Sequence, residues 1–319
     1  MEKSAYALNK KSFLDKYQIH DTFKKSGLEW ERLAKIYEAY VKLKASDEFQ
    51  KTVKKFEECC RSIMENNPNI HSIRCRPKDP EHLIEKIIRK RGKEQAAKYK
   101  GIDENNYIEI VHDLIGLRIL VFKKEDWEGV FDELTKLFPN DSTGVVGMAE
   151  SPIAYTRYGD RDIYKGKIHL DYSNKGYRSQ HYVVKYNGIY CEIQSRTLAE
   201  EVFGEFDHIV KYPYRMDNKF LKRYTNTVSK LTDSIDEMMS TCFQMEQKGW
   251  EDCERYFDDD TYNDWKNTNQ VPPTSSSGKT GDVSEKDMSG SGISQNEKTI
   301  IEDLVFRGRS GGSHGHSGK

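Results

Sequence analysis

Residues 174–196, NKGYRSQHYVVKYNGIYCEIQSR, constrain the fold most tightly. Two runs rich in tyrosine, valine and isoleucine flank Asn187-Gly188. Both turn residues tolerate positive φ, so the pair predicts a tight hairpin between two strands. Side chains alternate across a strand. Tyr190, Glu192, Gln194 and Arg196 therefore share one face, and Ile189, Cys191 and Ile193 share the other. The apolar face can pack on a core. The polar face lines up a carboxylate, an amide and a guanidinium, which suits either a solvated surface or a functional one.

A chain of 319 residues holds one sizeable domain with extensions, or two small domains. Its 51 Lys and Arg nearly balance 52 Asp and Glu, so no global field points to DNA or an acidic membrane. Charge is local instead: residues 71–100 hold ten Lys or Arg against four Asp or Glu. No apolar run approaches ~18 residues, so no membrane span is expected. The opening MEKSAYALNKK lacks the apolar core of a signal peptide. The six cysteines show no C-x-x-C spacing. They read as free thiols in a reducing, cytoplasmic compartment rather than as a zinc site.

Residues 1–67 carry a helical period, first in Trp30, Leu33, Ile36, Tyr37, Tyr40 and Leu43, then in Phe49, Val53, Phe56 and Cys60. Asp47 is expected to cap the second helix and Asn66-Asn67-Pro68 to end it. The simplest role for this part is a helical extension covering one side of a sheet. Residues 71–76 read as a short strand broken by Pro77. Asp79-Pro80 then opens a helix, with Asp79 as its cap. That helix buries Leu83, Ile84, Ile87 and Ile88 and turns Lys86, Arg89, Lys90 and Lys93 toward a basic face. Residues 114–122, LIGLRILVF, form the most apolar run and predict a central strand. A helix through Trp127, Val130, Phe131, Leu134 and Leu137 follows. Residues 140–166 read as a long loop with a minor strand near 154–158, and 167–171 as another strand. Thr197 and Glu200 predict a capping box at the next helix, which should run to Tyr212. A long helix over 218–250 carries Leu221, Tyr224, Val228, Leu231, Ile235 and Met238. From about residue 268 the chain turns to serine, glycine and polar residues, the composition of a disordered tail. The expected units are 1–67, 68–215, 216–267 (helices) and 268–319 (tail).

Asp113, before the central strand, and Glu192, in the hairpin, are the candidate metal ligands. Magnesium takes oxygen ligands and often uses one or two carboxylates, with water and phosphate completing its shell. Neighbouring strands lie ~4.8 Å apart, close enough for carboxylates on both to share an ion. Arg76, Lys78, Lys86, Arg118, Arg178 and Arg196 supply basic groups for a polyphosphate, whose transfer depends on positioning and charge neutralisation. The sequence has no Walker glycine loop and no kinase motif set. His112-Asp113 and Asp207-His208 look like halves of metal-hydrolase motifs. The first lacks an upstream histidine at helical spacing and the second runs in reverse order, so a phosphohydrolase is poorly supported.

Taken in order, these blocks resemble the RelA/SpoT-type alarmone synthetase family over about residues 70–215. The first is the basic block Arg76, Lys78, His82 and Lys86, with His82 where the family usually has serine. The second is Asp113, Gly116 and Arg118, as D-x-x-G-x-R. The third is Gly176, Tyr177, Ser179 and His181, as G-Y-x-S-x-H. The fourth is Glu192, Gln194, Arg196 and Thr197, followed by a helix with His208 and Tyr212.

The resemblance implies an α+β fold: a mixed β-sheet flanked by helices, related to polymerase-β-type nucleotidyltransferases, with helical N- and C-terminal extensions. It implies a pyrophosphokinase that moves the β,γ-diphosphate of ATP to the 3′-hydroxyl of GDP or GTP, makes (p)ppGpp and releases AMP. Arg76 and Arg118 would stack on adenine, and Lys78 and Lys86 would hold phosphates. Asp113 and Glu192 would be the catalytic carboxylates and Mg2+ ligands. Tyr177 would stack on the acceptor base, and Lys175, Ser179, His181, Gln194 and Arg196 would complete the acceptor site. Besides His82, the sequence departs from the family in a long gap between Lys86 and Asp113. It also has Ser173 where the family commonly has a lysine, with Lys175 two residues on. That lysine belongs to the acceptor side, which keeps a second reading open: a toxic relative that modifies the 3′-terminal adenosine of tRNA, paired with an antitoxin. A homo-oligomer is a further partner the resemblance allows. A non-enzymatic nucleotide-binding protein is the third reading. No hydrolase unit precedes the motifs, so a monofunctional chain is expected.

Overall fold

The structure, a computed structural model, describes residues 8–92, 96–140, 145–156, 163–164, 166–173, 176–210 and 218–248. The chain divides into two units, 1–256 and 257–319. The second, and with it the expected tail, lies outside the described residues.

The N-terminal helices are α1 (Lys10–Tyr17), α2 (His20–Ser26), α3 (Trp30–Ala45), α4 (Asp47–Arg61) and α5 (Ile63–Asn66). Ser46, not Asp47, caps α4, its hydroxyl accepting the Phe49 N–H at 3.3 Å. Asp47 is instead the first helical residue, where its charge suits the helix dipole. Next come β1 (Ile70–Pro77), α6 (Pro80–Arg91), α7 (Tyr107–Ile110), β2 (Ile115–Val121) and α8 (Trp127–Leu137). Asp79 caps α6 as expected, accepting from the Glu81 and His82 amides at 2.9 and 3.0 Å. Pro77 does not break β1 but ends it, paired with Ile115. Three short strands follow, β3 (Val146–Met148), β4 (Ile153–Thr156) and β5 (His169–Tyr172). The hairpin is β6 (Ser179–Tyr186) and β7 (Ile189–Thr197), and the chain continues in α9 (Leu198–Val210) and α10 (Lys219–Lys248). Its turn has φ of 47° at Asn187 and 79° at Gly188, the left-handed values the Asn-Gly pair was expected to adopt.

The sheet is mixed, in the order β1-β2-β7-β6-β4-β5, with β3 also on β6. β2 runs parallel to β7 and antiparallel to β1. This places the two expected carboxylate-bearing segments side by side. One sheet face carries Ile115, Leu117, Ile119, Cys191, Ile193, Tyr182 and Val184, all buried in a core shared with α1–α6 and α8. The N-terminal helices thus cover this face, as expected. Tyr40 on α3 reaches further: its hydroxyl donates to the Lys78 and Leu114 carbonyls at 2.9 and 3.3 Å. It braces the two backbones that lead into the candidate site.

Candidate active site

The opposite sheet face holds the polar row. In register, Arg76 pairs with Gly116 and Gly116 with Glu192, while Arg118 pairs with Gln194 and Gln194 with His181. Directly opposed residues share a face, so four strand segments distant in sequence meet there.

At one end, Lys78 from β1's exit and Lys86 from α6 both reach Asp113 Oδ2, each at 2.7 Å. All three side chains are largely shielded, at 17%, 18% and 15% exposure. Burial alone would raise the Asp113 pKa, but the two ammoniums outweigh it and hold the carboxyl well below the usual range. Burial would likewise lower Lys86, yet Asp113, Tyr99 and Glu192 leave it raised. Lys86 thus feels both carboxylates.

Glu192 sits in a different setting. Gln194 Nε2 donates to its Oε2 at 2.7 Å, and His181 Nδ1 lies 3.4 Å from Oε1. Burial pushes Glu192 up, but the hydrogen bond and charge of His181 bring it down to about 2, against the repulsion of Asp113. Burial would lower His181, but Tyr177 and Glu192 carry it up to about 9. The imidazolium is therefore the ordinary form near neutrality. It also meets the Tyr177 hydroxyl through Nε2 at 3.1 Å. Burial would raise Tyr177 too, but His181 and Arg196 leave it lowered. Arg196 donates to Gln194 Oε1 and Tyr177 Oη, and its guanidinium lies over the Tyr177 ring at 5.6 Å. Glu192, Gln194, Arg196, Tyr177 and His181 form one closed hydrogen-bonded set.

Arg118 belongs to a third group. It pairs with Glu201 at 2.6 Å and with Glu205, both on α9. Glu201 also meets Arg196 at 3.3 Å, so one carboxylate joins two arginines on the face. Arg76 is exposed nearby, and its charge acts on Glu205 and His208. Ser179 is fully buried and donates to the Ser195 carbonyl at 3.2 Å, tying β6 to β7. Lys175 and Tyr212 lie outside the described residues. Ser173 accepts the Tyr177 N–H at 3.3 Å and so helps shape the loop.

Asp113 Oδ1, Arg196 Nε, Ser195 Oγ and Glu201 Oε2 are buried in this region with no hydrogen-bond partner among the described residues. An unmet buried acceptor and an unmet buried donor are costly and suit a site that completes itself with a cation and an anionic ligand. No group of three or more His, Cys, Asp or Glu among the described residues could cage a metal. The donor set is two carboxylates, which fits magnesium sharing its shell with water and phosphate.

Residues 75–217 match the family model described as "Region found in RelA / SpoT proteins". The match covers a little under half of the chain. That region holds every site residue named above. No curated protein matches the chain. Solved structures similar to it include a GTP pyrophosphokinase family protein from Streptococcus pneumoniae, with 24% identity and a TM-score of 0.47, covering 69% of this chain and 96% of that one. Small alarmone synthetase 1 from Bacillus subtilis bound to its product pppGpp has 21% identity and a TM-score of 0.43, covering 62% and 94%. The same synthetase bound to AMPCPP has 18% identity and a TM-score of 0.43, covering 63% and 94%.

Several residues of the matched region do not stand out from the sequence. Tyr155 on β4 packs edge-on against His181, with ring centroids 4.8 Å apart. Glu201 and Glu205 are the partners of Arg118; their four-residue spacing on a helix was the available signal. His112 does not join Asp113 in a hydrolase pair. Its ring stacks on Tyr190 at 4.1 Å and pairs with Glu150. The basic face of α6 is also less uniform than its sequence. Lys86 turns to Asp113, Arg89 pairs with Glu85 at 2.7 Å, and Lys93 lies outside the described residues.

Proposed function

We propose that the chain is a pyrophosphokinase that transfers the β,γ-diphosphate of ATP to the 3′-hydroxyl of GDP or GTP. The acceptor oxygen bonds to the β-phosphorus as the α–β bridging bond breaks; its proton passes to Glu192 as the bond forms, and AMP leaves with the bridging oxygen. One observation carries the reading: two ammoniums converge on a buried carboxylate beside a second, strongly acidic carboxylate, inside a RelA/SpoT region.

On this reading Lys78 and Lys86 exchange part of their hold on Asp113 for phosphate oxygens, through charge-assisted hydrogen bonds. Arg76 and Arg118 flank the adenine, where guanidinium planes stack well. Glu192 is ionised at neutral pH and accepts a hydrogen bond from the 3′-hydroxyl. With a pKa of about 2 it orients that hydroxyl rather than stripping it in advance. A loose phosphoryl-transfer transition state asks for little more. Tyr177 stacks on the acceptor base, and His181, Gln194 and Arg196 hold it in place. Ser179 fixes the strand beneath, and Lys175 adds a cation from the loop. Asp113 and Glu192 would hold Mg2+, which when bound supplies charge neutralisation at the phosphate oxygens.

The test is incubation with ATP labelled in its terminal phosphates against GMP, GDP, GTP, ATP and deacylated tRNA. A labelled guanosine product with stoichiometric AMP is expected, and it should vanish with EDTA. Label on none of the acceptors overturns the reading. A second reading rests on Ser173: with no lysine at this point of the acceptor loop, the acceptor could be the 3′-terminal adenosine of tRNA. Label on tRNA alone would decide for it.

A further inference from the structure

The long stretch between Lys86 and Asp113 returns to the phosphate end of the sheet face. Its residues Ala96–Tyr99 form a short 3-10 helix packed on α6. Tyr99 is 6% exposed and anchors this turn in the main core. Beside it Lys98 stays half-exposed, at 43%, with its ammonium 3.9 Å from Glu150 Oε1. That oxygen is already the close partner of His112 Nδ1. Lys98 is thus held at long range by a carboxylate whose short bond goes to another group. Burial lowers the Lys98 pKa, and Lys86 adds to this against the pull of Glu150 and Asp113. The ammonium lies within reach of the Asp113 cluster and is poorly compensated there.

The strand register locates Lys98 along the face. Ile115 pairs with Cys191, so Tyr190 stands level with Leu114. The His112 ring stacks on Tyr190, and His112 meets Glu150, the partner of Lys98. Arg118 pairs with Gln194, four residues further along β7, ~13 Å away at the rise of a strand. The order along the face is therefore Arg118, then Asp113 with Glu192, then His112 with Glu150 and Lys98. Under the proposed function adenine lies at Arg76 and Arg118, and Lys78 and Lys86 hold phosphates. The terminal phosphate is the part of ATP farthest from its base, and it falls at the Lys98 end.

We propose, resting on that donor placement, that Lys98 binds the terminal phosphate of ATP. It would grip the diphosphate being transferred and not the AMP that leaves. A phosphate oxygen offers Lys98 a charge-assisted hydrogen bond that its 3.9 Å pair with Glu150 lacks, while Glu150 keeps His112. The test is calorimetry of the full chain with ATP and with ADP, in magnesium and without acceptor. Wild type should bind ATP more tightly than ADP. Lys98→Ala should weaken ATP binding about tenfold, the scale of one charge-assisted hydrogen bond, and leave ADP binding unchanged. Lys98→Arg should recover most of the loss. Equal losses for ATP and ADP would assign Lys98 to the shared phosphates or to the fold. No loss for either would leave it a surface partner of Glu150. Either result overturns the role of Lys98 while the donor site stands. A wild type that binds no ATP overturns it together with the proposed function.

Discussion

Around Asp113 two long, flexible ammonium side chains crowd one carboxylate oxygen. Around Glu192 the side chains of Gln194, Arg196, Tyr177 and His181 are tied to one another in a ring, with Arg196 Nε left open. The first arrangement stores cations that can be handed to a ligand. The second fixes a geometry before any ligand arrives. Phosphate recognition needs charge that moves with the substrate, whereas orienting a weak nucleophile needs rigidity. Under the proposed function, the donor takes the first end of the face and the acceptor the second.

The sharpest way to break that contrast is Asp113→Asn. It leaves Lys78 and Lys86 clustered without their counter-ion and removes the oxygen proposed to meet the metal. Transfer should fall by about 10³-fold, read as AMP release per enzyme. A loss under tenfold would show that the lysine cluster is only structural. Arg178→Met probes the rigid end from beneath. It removes the buried cation paired with Glu200, Asp233 and Asp236 and should cost about 3 kcal/mol of unfolding free energy, the scale for breaking a buried ion pair, measured by urea denaturation. An unchanged midpoint would show that Arg178 does not hold α10 against the segment before β6. Gly116→Leu fills the floor between Arg76 and Glu192. A Cβ there has the Arg76 carbonyl oxygen, 3.9 Å away, as its nearest neighbour, so the fold should tolerate it. KM for ATP should rise by about 100-fold, the scale of a displaced substrate. An unchanged KM would place the donor elsewhere.

His181 gives the smallest of these effects and separates the two ends by pH. Its folded pKa is raised from 6.5 to about 9. The stability it contributes is therefore complete below pH 6.5 and is lost as pH rises through 9. Transfer should fall on an alkaline limb near pH 9, up to about tenfold per pH unit as the imidazolium is titrated away. His181→Asn should abolish the matching slope in unfolding free energy. A slope that persists in the variant would mean another group titrates there.

Local signals in the sequence proved readable where a few residues decide the geometry. Asn187-Gly188 fixes the hairpin, Asp79-Pro80 starts α6, and Thr197 with Glu200 forms a mutual cap at 2.9 and 3.1 Å. Glu192 stood out because it sits in a polar-apolar alternation, and Asp113 because it directly precedes the most apolar run in the chain. What stayed hidden depends on distance along the chain. The parallel pairing of β2 with β7 joins residues 76 positions apart, as in Ile115 with Cys191, and no local pattern encodes it. β3 spans three residues, too short for periodicity to speak; the strand of Tyr155 was expected near 154–158, but its pairing with β6 was not. The capture of Arg118 by Glu201 and Glu205 was hidden for the same reason, since helix-face glutamates usually serve solvent. Ser46 against Asp47 shows a finer limit: two adjacent residues are both good caps, and the backbone chooses.

The most direct test of the account compares wild type with Glu192→Gln in a single turnover with ATP and the accepted acceptor, alongside ATP binding by calorimetry. The substitution keeps the partner of Gln194 and removes only the charge. ATP affinity should stay within about threefold, while diphosphate transfer drops by at least about 10³-fold. Transfer at near the wild-type rate with ATP bound would contradict the assignment of Glu192, and with it the division of the face into donor and acceptor ends.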